Sequence, residues 1–387
     1  MTKIDIAIIG GGVIGCAIAW ELSKAYESTF LFEKKTGIIK GENQSSQNSG
    51  VIHSGIYYDQ KTRPLKADLC VIGNQLLYEF CSKYKVPALN TGKLIVANNK
   101  KEEEILHIYF ERAKQNGVPG VNNISGSKIS LLEPNVCARS ALLVPTAGIV
   151  EPISLIHRLY TMASNNGAHF LIGTRVIGLE KKDDYIQLKI LYPDGKYDFL
   201  QSRVVINSGG IEADCLARLM NQYSQYELDP IRGESYKFYS HKRPELKIFK
   251  MNVYPAPELV ITPYGHHFTV GIHLTPTFNY ISYPPSLGST VTIGPKLVPG
   301  NKQDIVKPAN RKIFLNAASK YFPGIREDDL LWHQAGMQSR LKKEPDFVIK
   351  ADSMYPNFIN LLGIDSPGLT SCIAIGRQVI KIVKKIL

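Results

Sequence analysis

The N-terminal run IDIAIIGGGVIGCAIAWEL restricts the fold more than any other stretch. Residues 4–9 are a short apolar run of the kind buried on both faces of a parallel sheet, and the glycines after it open directly into a helical pattern, VIGCAIAWELSKAY. STFLFEKK then reads as a second strand, so the chain begins with a strand–helix–strand unit, the expected opening of a doubly wound sheet. Gly10, Gly12 and Gly15 place G-x-G-x-x-G at the first turn. Such a triplet alone is weak; between a strand and a helix it gains a meaning. Gly10 permits the tight turn, Gly12 lets the backbone approach a pyrophosphate, and Gly15 lets helix and strand pack closely.

A dinucleotide site of this kind needs an acid at the end of the second strand for the ribose hydroxyls, and Glu33 stands there, 18 residues past Gly15. An acid also disfavours a 2′-phosphate. The nucleotide is therefore expected to be FAD or NAD, and not NADP.

With 387 residues the chain can form two domains, and no stretch approaches the roughly 18 apolar residues that cross a bilayer. A soluble or at most membrane-attached protein is expected. Forty-six Lys and Arg against 34 Asp and Glu give +12, which suits an acidic small-molecule substrate or an anionic membrane surface. The excess is scattered, without a basic stripe interleaved with aromatics, so no nucleic-acid partner is expected. Six cysteines lack C-x-x-C spacing and read as small buried thiols, without zinc, other metal or disulfide framework. The chain enters its first strand with no signal-like segment before it, so a cytoplasmic location is expected.

Further along, helical spacing marks 65–84 and 100–117, the second closed by Gly117, and SLIHRLYTMASNNG is a third helix. GKLIVA is a strand, and 168–210 alternate as strands around the turn PDG. Residues 225–300, rich in Tyr, Pro and β-branched residues, suggest an antiparallel sheet forming a separate cap. The C-terminal SPGLTSCIAIGRQVIKIVKKIL turns helical after its Pro and Gly.

Nearly the whole chain resembles the FAD-dependent D-amino-acid-oxidase-like superfamily, and within it the L-2-hydroxyglutarate dehydrogenase/oxidase family. The likeness rests on DIAIIGGGVIGCAIAWEL, SSQNSGVIHSGIYY, LKADLCVIGNQLLYEFC, GKLIVA, VVINSGGIEAD, RGESY, GIHLTP, TIGP and NLLGIDSPGLTSCIAIG. NSGVIHSGIYY and SPGLTSCIAIG are specific to this branch, whereas many flavoproteins share the N-terminal glycines. The implied fold is α/β (α+β overall). A Rossmann-type FAD-binding domain, 1–85, 145–215 and 330–387, is interleaved with an antiparallel β-sheet cap that binds substrate, 86–144 and 216–329.

The same resemblance implies FAD contacts at Gly10, Gly12, Val13, Ile14 and Gly15, at Glu33 and Lys34, and along Ser45, Ser46, Gln47 and Asn48. It places His53 near the flavin ring, the backbone of Val176 against adenine, and Ser208 and Gly209 at the pyrophosphate. Gly336 joins them, with Pro367, Gly368, Leu369 and Thr370 at the start of the last helix. Free N–H groups at Gly368 to Ser371 would stabilise the negative charge of reduced flavin around N1 and O2.

Oxidising a 2-hydroxy acid on flavin needs a base for the hydroxyl proton, an α-hydrogen aimed at N5, and cations for the carboxylates. His273, in GIHLTP, is the favoured base and His53 the flavin-side partner; His266 and His267 are expected at a turn. Candidates for carboxylate capture are Arg232, Lys296 and Arg340. The chain departs from the family at two places where arginine is usual: Gln338, in AGMQSRL, and Gln47. Each change removes a fixed cation. L-2-hydroxyglutarate, oxidised to 2-oxoglutarate, is the leading expectation, and glycerol 3-phosphate or an amino acid gains weight from these changes. An FAD-dependent RNA modifier is the remote alternative. O2 or a quinone is the expected electron acceptor. Peripheral membrane contact by the lysines of the last helix competes with their complementing its dipole.

Overall fold

The computed structural model describes residues 2–38, 43–262, 265–280, 284–300 and 308–387, and within these the side chains of all but 259–262 and 265–268. Strand Thr2–Ile9 runs parallel between Thr29–Glu33 and Tyr197–Asn207, with Ile8 in register with Leu31 and Ile206. His169–Ile172 extends this sheet beyond Thr29–Glu33, and Phe358–Leu362 pairs in parallel with the end of Tyr197–Asn207. One face carries Ile6, Ile8, Leu31, Val204 and Ile206 against the helices Val13–Leu22, Pro64–Tyr84, Pro152–Asn165 and Gly368–Val383. The opposite face carries Ala7, Ile9 and Phe32 against Val176, Leu188 and Ile190 of the antiparallel ribbon Arg175–Lys182 and Tyr185–Leu191. Burial on both faces is the physical reason that residues 4–9 lack polar alternation.

The second sheet runs in the order Leu330–Gln338, Ile231–Tyr239, Ser286–Pro299, His273–Asn279, Asn252–Pro255, Lys93–Ala97, Ser140–Val144, Asn122–Ser125. Its pairing is antiparallel except between Asn252–Pro255 and Lys93–Ala97, which are parallel. One parallel junction arises because Lys93–Ala97 reaches the sheet from the first layer, before the rest of the cap has been traversed. Leu94, Val253, Leu274 and Ile293 bury one face against Phe314, Tyr321 and Phe322. Ile95 and Tyr254 face the other way, onto Ile56 and Tyr57. Leu330–Gln338 is the edge strand of this sheet, so the chain returns to the first sheet only with Val348–Ala351, later than the division expected at 330.

His266 and His267 lie within strand Gly265–Thr269, paired with Glu258–Thr262, and not at the turn expected for them; their side chains are outside the described residues. Among the described residues no helix is long and apolar enough to cross a membrane. All six cysteines are free, with Cys16, Cys70, Cys81 and Cys372 buried and Cys137 and Cys215 exposed.

Candidate active site

The first turn is packed to the limit of its backbone. Gly10 holds φ at +112°, and a Cβ on Gly15 would lie 1.9 Å from the Gly10 carbonyl oxygen, so neither position accepts a side chain without movement. Glu33 closes the turn from below: its carboxylate accepts from the Gly11 and Lys35 N–H groups, each at 2.7 Å. Ser208 ties the turn to the neighbouring strand end by donating its hydroxyl to the Ile9 carbonyl (2.9 Å). Gly209 packs under Leu216, Lys34 pairs with Glu212, and Val176 lies buried in the sheet.

The loop after residue 43 crosses from this turn to the cap. Ser45 accepts from the Val13 N–H (3.1 Å) at the start of the first helix, and Ser46 donates back to the Asn43 carbonyl. Gln334 donates to the Asn48 carbonyl (3.0 Å), and Gly336 passes so close that a Cβ would stand 2.1 Å from the Gln47 carbonyl oxygen. Three side chains then pin the histidine turn. Thr370 accepts from the His53 N–H (2.9 Å), Asn74 donates to the His53 carbonyl (2.8 Å), and Asn116 donates to the carbonyls of Gly55 and Tyr58 (2.9 and 2.7 Å). The Thr370 hydroxyl is thereby occupied. At the start of the last helix the Gly368 N–H already bonds Asp365 and the Ser371 N–H bonds Pro367, so the expected free donors reduce to Leu369 and Thr370.

Between the two layers lies a cavity of about 1670 Å³, larger than a single small ligand requires. Gly12, Val13, Ile14, Ser45, Gln47, Asn48 and Ser208 line one end of it, and Gly336, Pro367, Gly368 and Leu369 another part. His53, Tyr57, Tyr254 and His273 also line it. His273 is 3% exposed and stacks on Tyr254 at 3.7 Å. Its Nδ1 lies 3.1 Å from the Gly271 carbonyl, which can only accept. Nδ1 therefore carries the proton, and Nε2, buried and without a partner, presents a lone pair. Burial, then the nearby Lys93 charge, hold His273 down to about 3 and His53 well below the ordinary histidine value, so both rings are neutral at working pH. The His53 Nε2 faces the Ser366 hydroxyl at 3.3 Å, and its Nδ1 is buried without a partner.

The expected cations divide. Lys296 lines the cavity and forms no ion pair among the described residues, and Gln338 lines it as well. Arg340 lines it too but lies 3.6 Å from Asp365, which Lys66 pairs at 2.7 Å. Arg232 is not among the lining residues; it pairs at 2.7 Å with Glu234, which is 1% exposed. Sequence reasoning passed over Tyr57, Tyr254, Ser366 and Lys93. Arg232 and Glu234 stand two apart on one strand, the same-face spacing, so their pairing carried a readable signal.

The family described as FAD dependent oxidoreductase, DAO, matches residues 5–382. The chain belongs to that family. FAD is therefore its cofactor, and the glycine turn, the backbone-held Glu33 and a cavity long enough to connect that end of the sheet with the cap fit a dinucleotide. Among DAO-family relatives, the mitochondrial L-2-hydroxyglutarate dehydrogenase of Arabidopsis thaliana is 30% identical, over 97% of this chain and 83% of the relative. A glycerol 3-phosphate dehydrogenase of Caloramator mitchellensis is also 30% identical, over 99% of this chain and 74% of the relative. The FAD-bound, dithionite-reduced L-α-glycerophosphate oxidase of Mycoplasma pneumoniae superposes with a TM-score of 0.85 at 25% identity, covering 99% of this chain and 95% of that one.

Proposed function

We propose that this flavoprotein oxidises the hydroxyl-bearing carbon of a small anionic 2-hydroxy acid, converting L-2-hydroxyglutarate to 2-oxoglutarate. The observation that carries the reading is the His273 ring, oriented by the Gly271 carbonyl with Nε2 bare on the wall of the cavity. FAD, when bound, supplies the acceptor for the hydride.

The chain supplies the rest. The Gly12 and Ile14 N–H groups and the Ser45 hydroxyl would be the donors to the pyrophosphate at the start of the first helix, with Val13 and Ser208 holding the turn by their bonds to Ser45 and Ile9 and Gly10, Gly15 and Gly209 allowing the approach. Glu33 has lone pairs left for ribose hydroxyls, Lys34 and Val176 stand toward the adenosine end, and Ser46, Gln47, Asn48 and Gly336 shape the ribityl passage. Leu369 and Thr370 N–H groups, with Pro367 and Gly368 beside them, would serve as donors to the negative charge of a reduced flavin. His273 Nε2 accepts the hydroxyl proton, His53 would stand beside the bound flavin, and Lys296, Gln338 and Arg340 would hold the acid. The electrons leave to O2 or a quinone.

Glycerol 3-phosphate is the second reading, because proteins named for that substrate stand among the relatives at equal identity and among the solved structures. Purified, FAD-loaded protein mixed anaerobically with L-2-hydroxyglutarate is expected to lose its yellow colour. Bleaching by glycerol 3-phosphate alone would install the second reading, and bleaching by amino acids alone would sink both.

A further inference from the structure

Lys93 opens strand Lys93–Ala97 and is 0% exposed, and its ammonium has no hydrogen-bond acceptor among the described residues. It stands 3.8 Å from the centroid of the Tyr254 ring and 5.2 Å from that of Tyr57. His273 stacks on Tyr254 at 3.7 Å and 13°. Two groups this near one centroid cannot share a face, so Tyr254 is held between the ammonium and the imidazole. The titratable groups that face Lys93 are Cys70 from helix Pro64–Tyr84, His53 and Tyr57 from the pinned loop, Tyr254 from Asn252–Pro255 and His273 from the next strand. None is an acid.

On the cavity wall Arg340 and Lys66 share Asp365 and Arg112 has Asp59, and the wall cations without an ion pair, Lys296 among them, are half-buried or exposed where Lys93 is fully buried. Behind Tyr57 and Tyr254, Lys93 has only ring faces, which offset part of the cost of burying an ammonium but supply no counter-charge. The Tyr57 and Tyr254 hydroxyls, His53 Nδ1 and His273 Nε2 are buried without partners in front of it. A chamber of unpartnered polar atoms backed by an unneutralised cation is incomplete until an anion enters.

We propose that Lys93 is a positioning residue, acting through Tyr57 and Tyr254, whose missing counter-ion is the anionic group of the substrate, a carboxylate or a phosphate. This rests on the reading that the substrate is a small anion. Burial holds the Lys93 ammonium down to about 7, so in the free site it is only partly protonated at neutral pH. An oxyanion nearby favours the protonated form, and binding therefore takes up a proton. The sign follows: affinity is highest below about pH 7 and falls as pH rises past the free-site value. Both histidines are held neutral in that range and take up nothing there.

The test uses FAD-loaded protein and two unreactive probes that do not titrate between about pH 6 and 9: glutarate for carboxylate and sulfate for a tetrahedral oxyanion. Flavin absorbance reports binding, and calorimetry in two buffers of different ionisation enthalpy reports protons. About half a proton is expected per bound anion near pH 7. Whichever probe binds with that uptake identifies the anion class. Lys93→Met should weaken it at least about tenfold and abolish the uptake, while FAD still binds. Lys93→Arg should bind without uptake.

A wild-type protein that binds neither probe, or binds with no proton uptake and pH-independent affinity, overturns the proposal. So does Lys93→Met binding as tightly as wild type. If that variant fails to fold, the wild-type proton count decides alone. Failure of every 2-hydroxy acid to bleach the flavin removes the proposed substrate but leaves these anion measurements standing.

Discussion

Gly12→Ala separates cofactor recognition from stability. Gly12 has φ −72° and ψ −178°, extended backbone that alanine adopts without strain. Within 4 Å its added Cβ would meet one atom, Ser45 Oγ at 3.0 Å, the hydroxyl that accepts from Val13. That side chain can yield by a few tenths of an ångström. The native-state cost should be under about 1 kcal/mol, and loss of glycine's freedom in the unfolded chain returns about 0.4–1 kcal/mol. In the cavity the same methyl group stands where the turn should touch a pyrophosphate. Losing one charge-assisted hydrogen bond, worth about 1.5–3 kcal/mol, weakens FAD binding roughly tenfold to a hundredfold or more. Gly15→Ala is the control: its Cβ meets a backbone carbonyl at 1.9 Å, and overpacking of about 1–3 kcal/mol or more follows. Urea unfolding of the apoprotein and fluorescence titration with FAD measure the two effects. The reasoning is refuted if Gly12→Ala binds FAD within about twofold of wild type, or unfolds as easily as Gly15→Ala.

Two other substitutions test the site. His273→Asn is expected to lower turnover at least about a hundredfold, with the spectrum of bound FAD unchanged; an undiminished rate in stopped-flow reduction would remove His273 from the mechanism. Arg232→Met leaves the buried Glu234 carboxylate without its guanidinium, so urea unfolding should show a loss of about 3 kcal/mol with KM unaltered. A raised KM at full stability would return Arg232 to the substrate.

The glycine turn was legible because its signal is local: apolar run, glycine spacing and acid lie within 33 residues, and each constrains its neighbour. The cap could be recognised as a sheet but not ordered, since its edge strand Leu330–Gln338 pairs with Ile231–Tyr239 across a long insertion that leaves no mark on either. Lys93 was invisible for the same reason. In GKLIVA a lysine next to a glycine reads as the solvated start of a strand. Only the parallel register that sets Lys93 opposite Asn252 and Ile95 opposite Tyr254 turns it into the interior.

These placements bear on how the site would tell one anion from another. A pocket built on two exposed arginines would hold a dicarboxylate with an affinity indifferent to pH, because guanidinium does not titrate in water's usual range. Here Gln47 and Gln338 line the cavity without charge, Arg340 is shared with Asp365, and Arg232 is committed to Glu234. Among the described residues, Lys61, Arg63, Lys296, Lys320 and Lys343 line the cavity without an ion pair, and Lys93 stands behind the tyrosines. Lys93, the buried one, changes its charge near neutrality. Recognition by lysine demands less of the ligand's shape than a bidentate arginine fork and more of its charge. The choice between a second carboxylate and a phosphate therefore rests on the anaerobic screen and the glutarate–sulfate comparison together.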